Sequence, residues 1–506
     1  MKRFWILVLV WATATAILVV NAWPTFAGVV DDAFISARYA AHFAEGHGLV
    51  YNVGEQAVEG YTNLAWTVLL GIGLLFGIPA HQLMTWMGLV FGSLAIAAGM
   101  ALTDELVEGM TWWPALTGAL IGASPHLAVV STIGLEMSMY VAAVLFGLWA
   151  MLAAKGHWRW GAGLALVLVG LVRPEGVLVA GLAVGYDLLV HRKELKKLDT
   201  WILAIVVTGG YATLLGWRMA YYGAPMPNTF DAKSAVPFVK QTEANLRYLR
   251  PDQAVWWPAL VLLLASPIFP GRRVRRLLLV ATAVALVAVA SQVNLWMPGT
   301  RLLVPSLMLT ICAIVAAGAS LPRWWSALVA LPLILGATIL PFSQVTTYLR
   351  NYNGRHTIIP GNGTQLAAEH LLAHAPPDSW LATRDAGVFA YYVSTSIKLA
   401  ELHNRTLTQP LPEGRDADVF KYTPVTPEFI ALTHSRAKTP GFKYGNDRRV
   451  WTRATNNDAY DYLGRVYQHY HRYYDVYARS DLNVPPLPSD VAVNFAGPKP
   501  AKQSNQ

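Results

Sequence analysis

Charged residues are scarce in this chain of 506 residues, at 14%, whereas 54% of the residues are hydrophobic. A soluble protein of average composition is about 25% charged, so this composition argues against an ordinary soluble enzyme. Long uncharged runs recur from residue 4 to about residue 342, and each is close to the roughly 20 residues that cross a bilayer. The sequence therefore predicts a polytopic α-helical membrane protein with about 10–12 transmembrane helices and a soluble C-terminal part.

Cysteine and the common motifs of soluble enzymes are also missing. The single cysteine, Cys312, lies in an apolar run and excludes an intramolecular disulfide, and we expect it to be a small buried hydrophobic residue. The chain has no Walker A loop, no His-Glu-x-x-His, no Cys-x-x-Cys and no Gly-x-Gly-x-x-Gly after a strand. These absences argue against P-loop, zinc-protease, thioredoxin-like and dinucleotide-binding chemistry.

Basic residues cluster in short segments between apolar runs, at positions 2–3, 191–197 and 271–276, and give a net charge of +9. This positive-inside pattern predicts that those segments are cytoplasmic, and nucleic acid is not an expected partner. The first loop (residues 24–62), the segments 221–250 and 294–301, and the C-terminal part are then expected outside. The apolar stretch 4–20 exceeds the roughly 7–15 residues of a signal-peptide core, which favours an uncleaved first helix.

The pattern predicts a membrane domain over residues 1–342 and a soluble α/β domain over 343–506 that ends in a frayed tail. The apolar run 160–191 is interrupted at residues 173–176 and is expected to form two short helices. Between residues 63 and 130 the number of apolar runs does not fit the inside and outside assignments of the flanking segments. One run there is therefore expected to be re-entrant or short. In the C-terminal part, residues 379–383 and 396–402 resemble strands, and residues 387–393 resemble a short helix.

Two adjacent carboxylates, Asp31 and Asp32, are the strongest local signal for chemistry. One interpretation is a general base with a neighbour that orients it or binds a cation. The other is helix capping, because Ile35, Tyr39 and Phe43 form an apolar stripe on a helix over 33–45, for which Asp32 would be a good N-cap. That helix would lie on the membrane surface. Both roles stay open on these residues alone.

Four further groups have both a functional and a structural interpretation. Glu136 lies inside an apolar run, where an ionisable group is either functional or hydrogen-bonded within the bundle. Arg173 and Glu175 interrupt a helix, either to bind a ligand or to pair with each other. Lys233 and Arg301 could contact an anion on the outer side, or their side chains could extend to the membrane interface. The glycine-rich segment 45–63 could form the roof of a cavity or a plain connection.

Several blocks of the chain resemble the GT-C membrane glycosyltransferases, and especially their mycobacterial arabinofuranosyltransferase (AftB-like) branch. The first block is residues 31–40, followed by 45–49 and 59–63. Later blocks are 173–176, 227–230 with Lys233, 296–299 with Arg301, and 384–387 with Tyr391-Tyr392. One departure is that Leu295, preceded by Asn294, stands where the family often has an acidic residue.

The resemblance implies an inverting glycosyltransferase that uses a polyprenyl-phosphate-linked sugar donor and a glycan or lipid acceptor at the outer face of a bacterial plasma membrane. Asp31 matches the family's base, and Asp32 lies beside it. The charge that develops on the leaving phosphate calls for cations, for which the candidates are Lys233, Arg301, Arg218 and Arg173. Candidate substrate-binding residues are Glu59, Tyr61, Glu136, Asn228 and Asn294. A divalent cation held by Asp31 or Asp32 could also stabilise the charge of the leaving phosphate, but nothing in the sequence requires a cofactor.

Two other classes of function compete with the enzyme. A transporter or flippase of a lipid-linked substrate would also use broken helices and buried charges. A catalytically silent relative associated with the envelope or the flagellum would keep the fold without the chemistry. The absence of an internal repeat and the paired carboxylates favour the enzyme.

Overall fold

The computed structural model describes residues 2–26, 28–107, 112–228, 298–319, 361–383, 387–393, 395–401, 426–434, 459–469 and 472–489, with 276, 279–280, 282–283, 450 and 491. The N-terminal part of these residues is helical. Its helices are α1 (Lys2–Ala22), α2 (Asp31–Ala44), α3 (Leu64–Leu74), α4 (Ala80–Val107), α5 (Trp112–Gly122), α6 (Pro125–Val130), α7 (Met137–Ala153), α8 (Arg159–Val172), α9 (Gly176–Val190), α10 (Leu198–Tyr222) and α11 (Val304–Gly318).

The apolar composition of these helices suits a lipid environment. Four helical segments in the described residues are long and apolar enough to cross a membrane: Lys2–Thr25, Ala80–Val107, Leu198–Tyr222 and Arg301–Gly318. The predicted interruption at residues 173–176 is confirmed, since α8 ends at Val172 and α9 begins at Gly176. The apolar runs expected at 254–270, 277–296 and 323–342 lie outside the described residues, apart from isolated positions.

Short helices explain why the number of apolar runs between residues 63 and 130 did not fit the inside and outside assignments. Helix α3 has 11 residues and rises only about 16 Å, against a hydrocarbon core of about 30 Å. The apolar run 112–130 is broken into α5 and α6 at Ser124, whose side chain caps α6 by accepting a hydrogen bond from the Leu127 amide, with Pro125 following at the first helical position. Two of the apolar runs are therefore too short to cross a bilayer as single straight helices.

Close helix packing builds the membrane domain. Helix α4 runs along α7, and a side chain at Gly88 would collide with the backbone of Ser131. Helix α11 packs against α4, α5 and α7, and its Cys312 is fully buried as predicted. The sulfur of Cys312 lies 3.7 Å from the carbonyl oxygen of Gly99.

The C-terminal part contains a five-stranded mixed sheet. Its elements are α12 (Gly363–His374), β1 (Ser379–Thr383), α13 (Val388–Tyr392), β2 (Ile397–Glu401), β3 (Phe429–His434), β4 (Tyr460–His469) and β5 (Arg472–Arg479). The strand order is β2-β1-β3-β5-β4, with β1 parallel to β2 and β3. Strand β5 runs antiparallel to β3 and β4. The strand–helix–strand unit predicted between residues 379 and 402 is confirmed.

Helix α2 joins the two parts of the molecule. Its Ala33, Phe34, Ala37 and Ala40 belong to the core of the helical bundle, whereas its Ile35 and Tyr39 pack into the core of the C-terminal domain. The prediction of a helix with one face on the membrane surface is therefore wrong, because both faces are covered by protein. The predicted cap is wrong as well: Val30 occupies the N-cap position and no side chain caps the helix.

Candidate functional site

Asp31 and Asp32 form the first turn of α2, at the junction between the helical bundle and the C-terminal domain. Both are partly exposed. The amide of Val30 donates to the carbonyl of Ile133 over 3.1 Å, which ties the start of α2 to the connection between α6 and α7. Gly134 in that connection has a positive φ of 83° and approaches Val29 and Ala33 so closely that a side chain would not fit. Asp31 therefore projects from an anchored backbone.

The C-terminal domain contacts Asp31 directly. The Asp31 Oδ1 accepts a hydrogen bond of 3.0 Å from the backbone amide of Val388, the first residue of α13. A Cβ atom added to Gly387 would lie 2.6 Å from both Cγ and Oδ2 of Asp31, and closer still to its carbonyl oxygen. Only a residue without a side chain leaves room for this approach. The carboxylate thus lies between the two domains.

Arg38 fastens α2 to the same part of the C-terminal domain. It is 1% exposed, and it donates to the carbonyls of Tyr51 (2.7 Å), Ile397 (3.1 Å) and Ala390. It also donates to the side chain of Asn52 over 3.3 Å. Burial lowers the pKa of Arg38 to about 10, so the guanidinium remains charged at neutral pH. The charge is solvated by oxygen atoms from α13, from β2 and from the loop after α2.

Asn52 extends the same contact along the edge of the sheet. Its side-chain amide both donates to the carbonyl of Leu399 and accepts from the Leu399 amide, each over 2.9 Å. Asn52 thus satisfies backbone groups at the outer edge of β2 as a neighbouring strand would. Lys398 on the same strand pairs with Glu55 at 3.0 Å. The first loop and the C-terminal domain therefore form one continuous hydrogen-bonded unit.

A second polar group lies in the helical bundle around Glu136, which is 2% exposed. Arg173 forms ion pairs with Glu136 and with Glu175, the latter at 2.7 Å. The second oxygen of Glu136 accepts from Asn63 over 2.8 Å. Arg301, on the short 3₁₀ helix Pro298–Leu303, is close enough to Glu136 to act on it electrostatically. The Arg173–Glu175 pair, one of the two alternatives for this interruption, is present, and Glu136 joins it.

A third group lies where the first loop meets the end of α10. Arg218 donates to Glu59 through Nε (3.2 Å) and Nη2 (2.9 Å). Burial raises the pKa of Glu59 in spite of this partner. The hydroxyl groups of Tyr61 and Tyr222 lie 3.0 Å apart, and the amide of Asn228 donates to the carbonyl of Glu59 over 3.0 Å. These contacts fix the segment before α3 against α10.

The structure thus pairs the predicted site residues with one another. Arg173 and Arg218, predicted to bind the donor phosphate, are each paired with a buried carboxylate that was predicted to bind substrate, Glu136 and Glu59. Lys233, Asn294, Leu295 and the segment 384–386 lie outside the described residues. Within the described ranges no group of three or more His, Cys, Asp or Glu side chains is arranged to hold a metal ion.

Sequence reasoning missed the residues that join the two domains. Arg38 and Asn52 were part of recognised blocks or their neighbourhood, but nothing in the local sequence indicates their partners. Those partners are backbone atoms more than 340 positions away along the chain, such as Ala390 and Leu399. The one general signal is that an arginine on a helix that becomes buried must find oxygen atoms as partners.

Comparisons with known proteins define the class of fold. No protein-family model matches the chain, and no curated protein matches it. Among solved structures it is similar to the GT-C glycosyltransferases, and the chain has the fold of these membrane enzymes.

Three of these structures show how far the likeness extends. ArnT from Cupriavidus metallidurans, bound to undecaprenyl phosphate, is 14% identical with a TM-score of 0.56, over 94% of this chain and 98% of that one. The mycobacterial arabinofuranosyltransferase AftD is 15% identical with a TM-score of 0.54, over 95% of this chain but 40% of its own.

The third is the oligosaccharyltransferase AglB from Archaeoglobus fulgidus, in complex with an inhibitory peptide and a dolichol-phosphate. It is 13% identical with a TM-score of 0.51, over 79% of this chain and 64% of that one. This chain therefore spans less than two thirds of AglB and of AftD, but nearly all of ArnT. The expected fold class is confirmed, as a membrane protein with a helical bundle and a small C-terminal sheet domain.

Proposed function

We propose that the protein is an inverting glycosyltransferase that moves a sugar from a polyprenyl-phosphate donor to a glycan or lipid acceptor, with Asp31 as the general base. The observation that carries the proposal is the position of the Asp31 carboxylate. It stands at the start of α2 between the bundle and the C-terminal domain, oriented by the Val388 amide. The GT-C fold, whose solved examples include complexes with undecaprenyl phosphate and dolichol-phosphate, supports the class of donor.

The proposed reaction is a single displacement at the anomeric carbon. The acceptor hydroxyl attacks this carbon, the bond to the phosphate oxygen breaks, and the polyprenyl phosphate leaves with the bonding electron pair. Asp31 takes the hydroxyl proton, so the attacking oxygen gains nucleophilicity as the bond forms. Asp32 is the next residue on the same helical turn, and its carboxylate adds a second negative charge that attracts positively charged groups to the site.

The leaving phosphate requires positive charge. We assign phosphate contact to Arg301 and Lys233, which belong to segments that the sequence predicts on the outer side. Arg173 and Arg218 pair with Glu136 and with Glu59, and we assign them to positioning through these carboxylates. A guanidinium can contact two phosphate oxygens at once, which suits Arg301 to a leaving group that gains charge.

The proposal extends to location and substrates. The base and the C-terminal domain are placed at the outer face of a bacterial plasma membrane, because the basic segments at 2–3 and 191–197 predict a cytoplasmic side opposite to Asp31. The acceptor is a glycan or lipid of the cell envelope. An arabinofuranosyl donor is the first sugar to test, because AftD is among the structural relatives.

The test is a donor panel presented to the purified protein in nanodiscs. Polyprenyl-phosphate sugars and the corresponding nucleotide sugars are supplied with envelope glycan acceptors, and the anomeric configuration of the product is determined by NMR. The proposal expects transfer from one lipid-phosphate sugar, with inversion, and none from the nucleotide sugar. Transfer with retention would contradict it. Movement of the donor across the bilayer of sealed proteoliposomes, without transfer, would also contradict it and would favour a flippase.

A further inference from the structure

The short turn that begins α13 approaches the proposed base more closely than side chains would allow. Gly387 leaves no room for a Cβ beside the Asp31 carboxyl group, and the next amide, that of Val388, donates to Asp31 Oδ1 over 3.0 Å. These two residues are 356 and 357 positions away from Asp31 along the chain. The contact therefore depends on how the C-terminal domain docks on α2.

The docking is itself built from buried polar contacts around the same turn. Arg38, two helical turns after Asp31, donates to the carbonyl of Ala390 within α13 and to that of Ile397 at the start of β2. The rings of Tyr391 and Tyr392 lie 5.4 and 5.9 Å from the ring of Phe34, which is also on α2. Helix α13 is thus held against α2 by contacts of residues 390–392, directly after the amide that meets the carboxylate.

We infer that the Gly387–Val388 turn of the C-terminal domain is a positioning element for the catalytic carboxylate. The Val388 amide holds Asp31 in the rotamer that faces the acceptor hydroxyl, and Gly387 is required because any side chain would displace the carboxyl group. The inference rests on the proposed function, and it assigns to the C-terminal domain a part in the chemical step. A misplacement of about 1 Å at a reacting group can lower the rate about 100-fold.

The first experiment compares variants that disturb the domain with and without moving Asp31. Gly387→Ala inserts a methyl group against the carboxyl of Asp31. Gly363→Ala is the matched control in the same domain, because its methyl group would crowd Tyr467 and Val466 of β4 instead. We expect kcat to fall about 100-fold in Gly387→Ala, with the KM for the donor changed less than about twofold. Gly363→Ala should keep both values.

A second pair of variants tests the hydrogen bond. Val388 is the first residue of α13, a position where proline fits a helix, so in Val388→Pro the helix can persist while a ring carbon replaces the amide hydrogen that faces Asp31 Oδ1. Val388→Ala loses a similar part of the side chain but keeps the amide. We expect kcat of Val388→Pro to lie far below that of Val388→Ala. Equal kcat values in these two variants would overturn the positioning role.

A measurement without substrate separates this inference from the proposed function. Thermal unfolding of Asp31→Ala, of Val388→Pro and of the double variant tests the contact by a double-mutant cycle, relative to the same cycle with Val388→Ala. Non-additive shifts of the melting temperature in the proline cycle alone support the contact, and additive shifts overturn it. Failure of the wild type to use any donor would overturn the proposed function, whereas wild-type kcat in Gly387→Ala would overturn only the positioning.

Discussion

Replacement of Arg38 by methionine should loosen the C-terminal domain from the first loop. The substitution keeps a long unbranched side chain of similar reach but removes every N–H group. Arg38 donates to three backbone carbonyls, those of Tyr51, Ala390 and Ile397, and only the first belongs to the same loop. The other two lie in α13 and β2, so the variant removes hydrogen bonds that cross between the domains.

The magnitude follows from the atoms left behind. A buried polar group without a partner costs about 1–3 kcal/mol, so three carbonyls correspond to about 3–9 kcal/mol. We expect about 3 kcal/mol, the low end, because methionine leaves space that water can enter from the loop. Arg192, exposed in the basic segment after α9, provides the matched control, and Arg192→Met should change the stability by less than about 0.5 kcal/mol.

Two measurements on detergent-solubilised protein check this prediction. Thermal unfolding reports the loss of stability, and hydrogen exchange of peptides spanning residues 388–401 reports whether α13 and β2 open first. Faster exchange confined to these peptides and their contacts on α2 is the expected result. If Arg38→Met unfolds at the same temperature as Arg192→Met, the Arg38 guanidinium does not hold the two domains together.

Two further predictions concern buried charges. Arg173→Met should lower the free energy of unfolding by about 3–5 kcal/mol, because Glu136 is left buried without its ion-pair partner. Adding Glu136→Gln should recover most of that loss in thermal unfolding, and equal instability of the single and double variants would contradict the pairing. Burial, and then the charge of Arg38, lowers the pKa of His42 from 6.5 to about 4. The unfolded chain binds a proton at His42 below pH 6.5 and the folded protein does not, so stability present above pH 6.5 is lost as the pH falls towards 4, by up to about 3 kcal/mol. His42→Asn should flatten this part of the pH dependence of the melting temperature, and an unchanged profile would contradict a buried neutral imidazole.

Local sequence patterns predicted the elements that depend only on neighbouring residues. The interruption between α8 and α9 was predictable because Pro174 and two charged residues cannot continue an apolar helix. The strands β1 and β2 were predictable from short runs rich in apolar residues between turns. The break between α5 and α6 was not, because Ser124 and Pro125 lie within an apolar run that hydropathy treats as continuous.

The site was predictable only in its chemistry. Two adjacent carboxylates beside a membrane segment indicated a functional role for Asp31, and the resemblance to GT-C enzymes predicted that this role is the general base. Its partner could not be predicted, since the hydrogen bond comes from a backbone amide 357 positions away and carries no side-chain signature. The same limit applies to Arg173, for which the sequence offered only Glu175 as a partner, whereas the structure adds Glu136.

The most direct test of the central claim compares turnover and donor binding in three proteins in nanodiscs: wild type, Asp31→Asn and Asp32→Asn. With the donor identified by the panel, we expect Asp31→Asn to bind it with wild-type affinity but to lose transfer by at least about 100-fold, since an amide cannot accept the hydroxyl proton. Asp32→Asn should retain more activity than Asp31→Asn. Near-normal transfer by Asp31→Asn would contradict the assignment of Asp31 as the base.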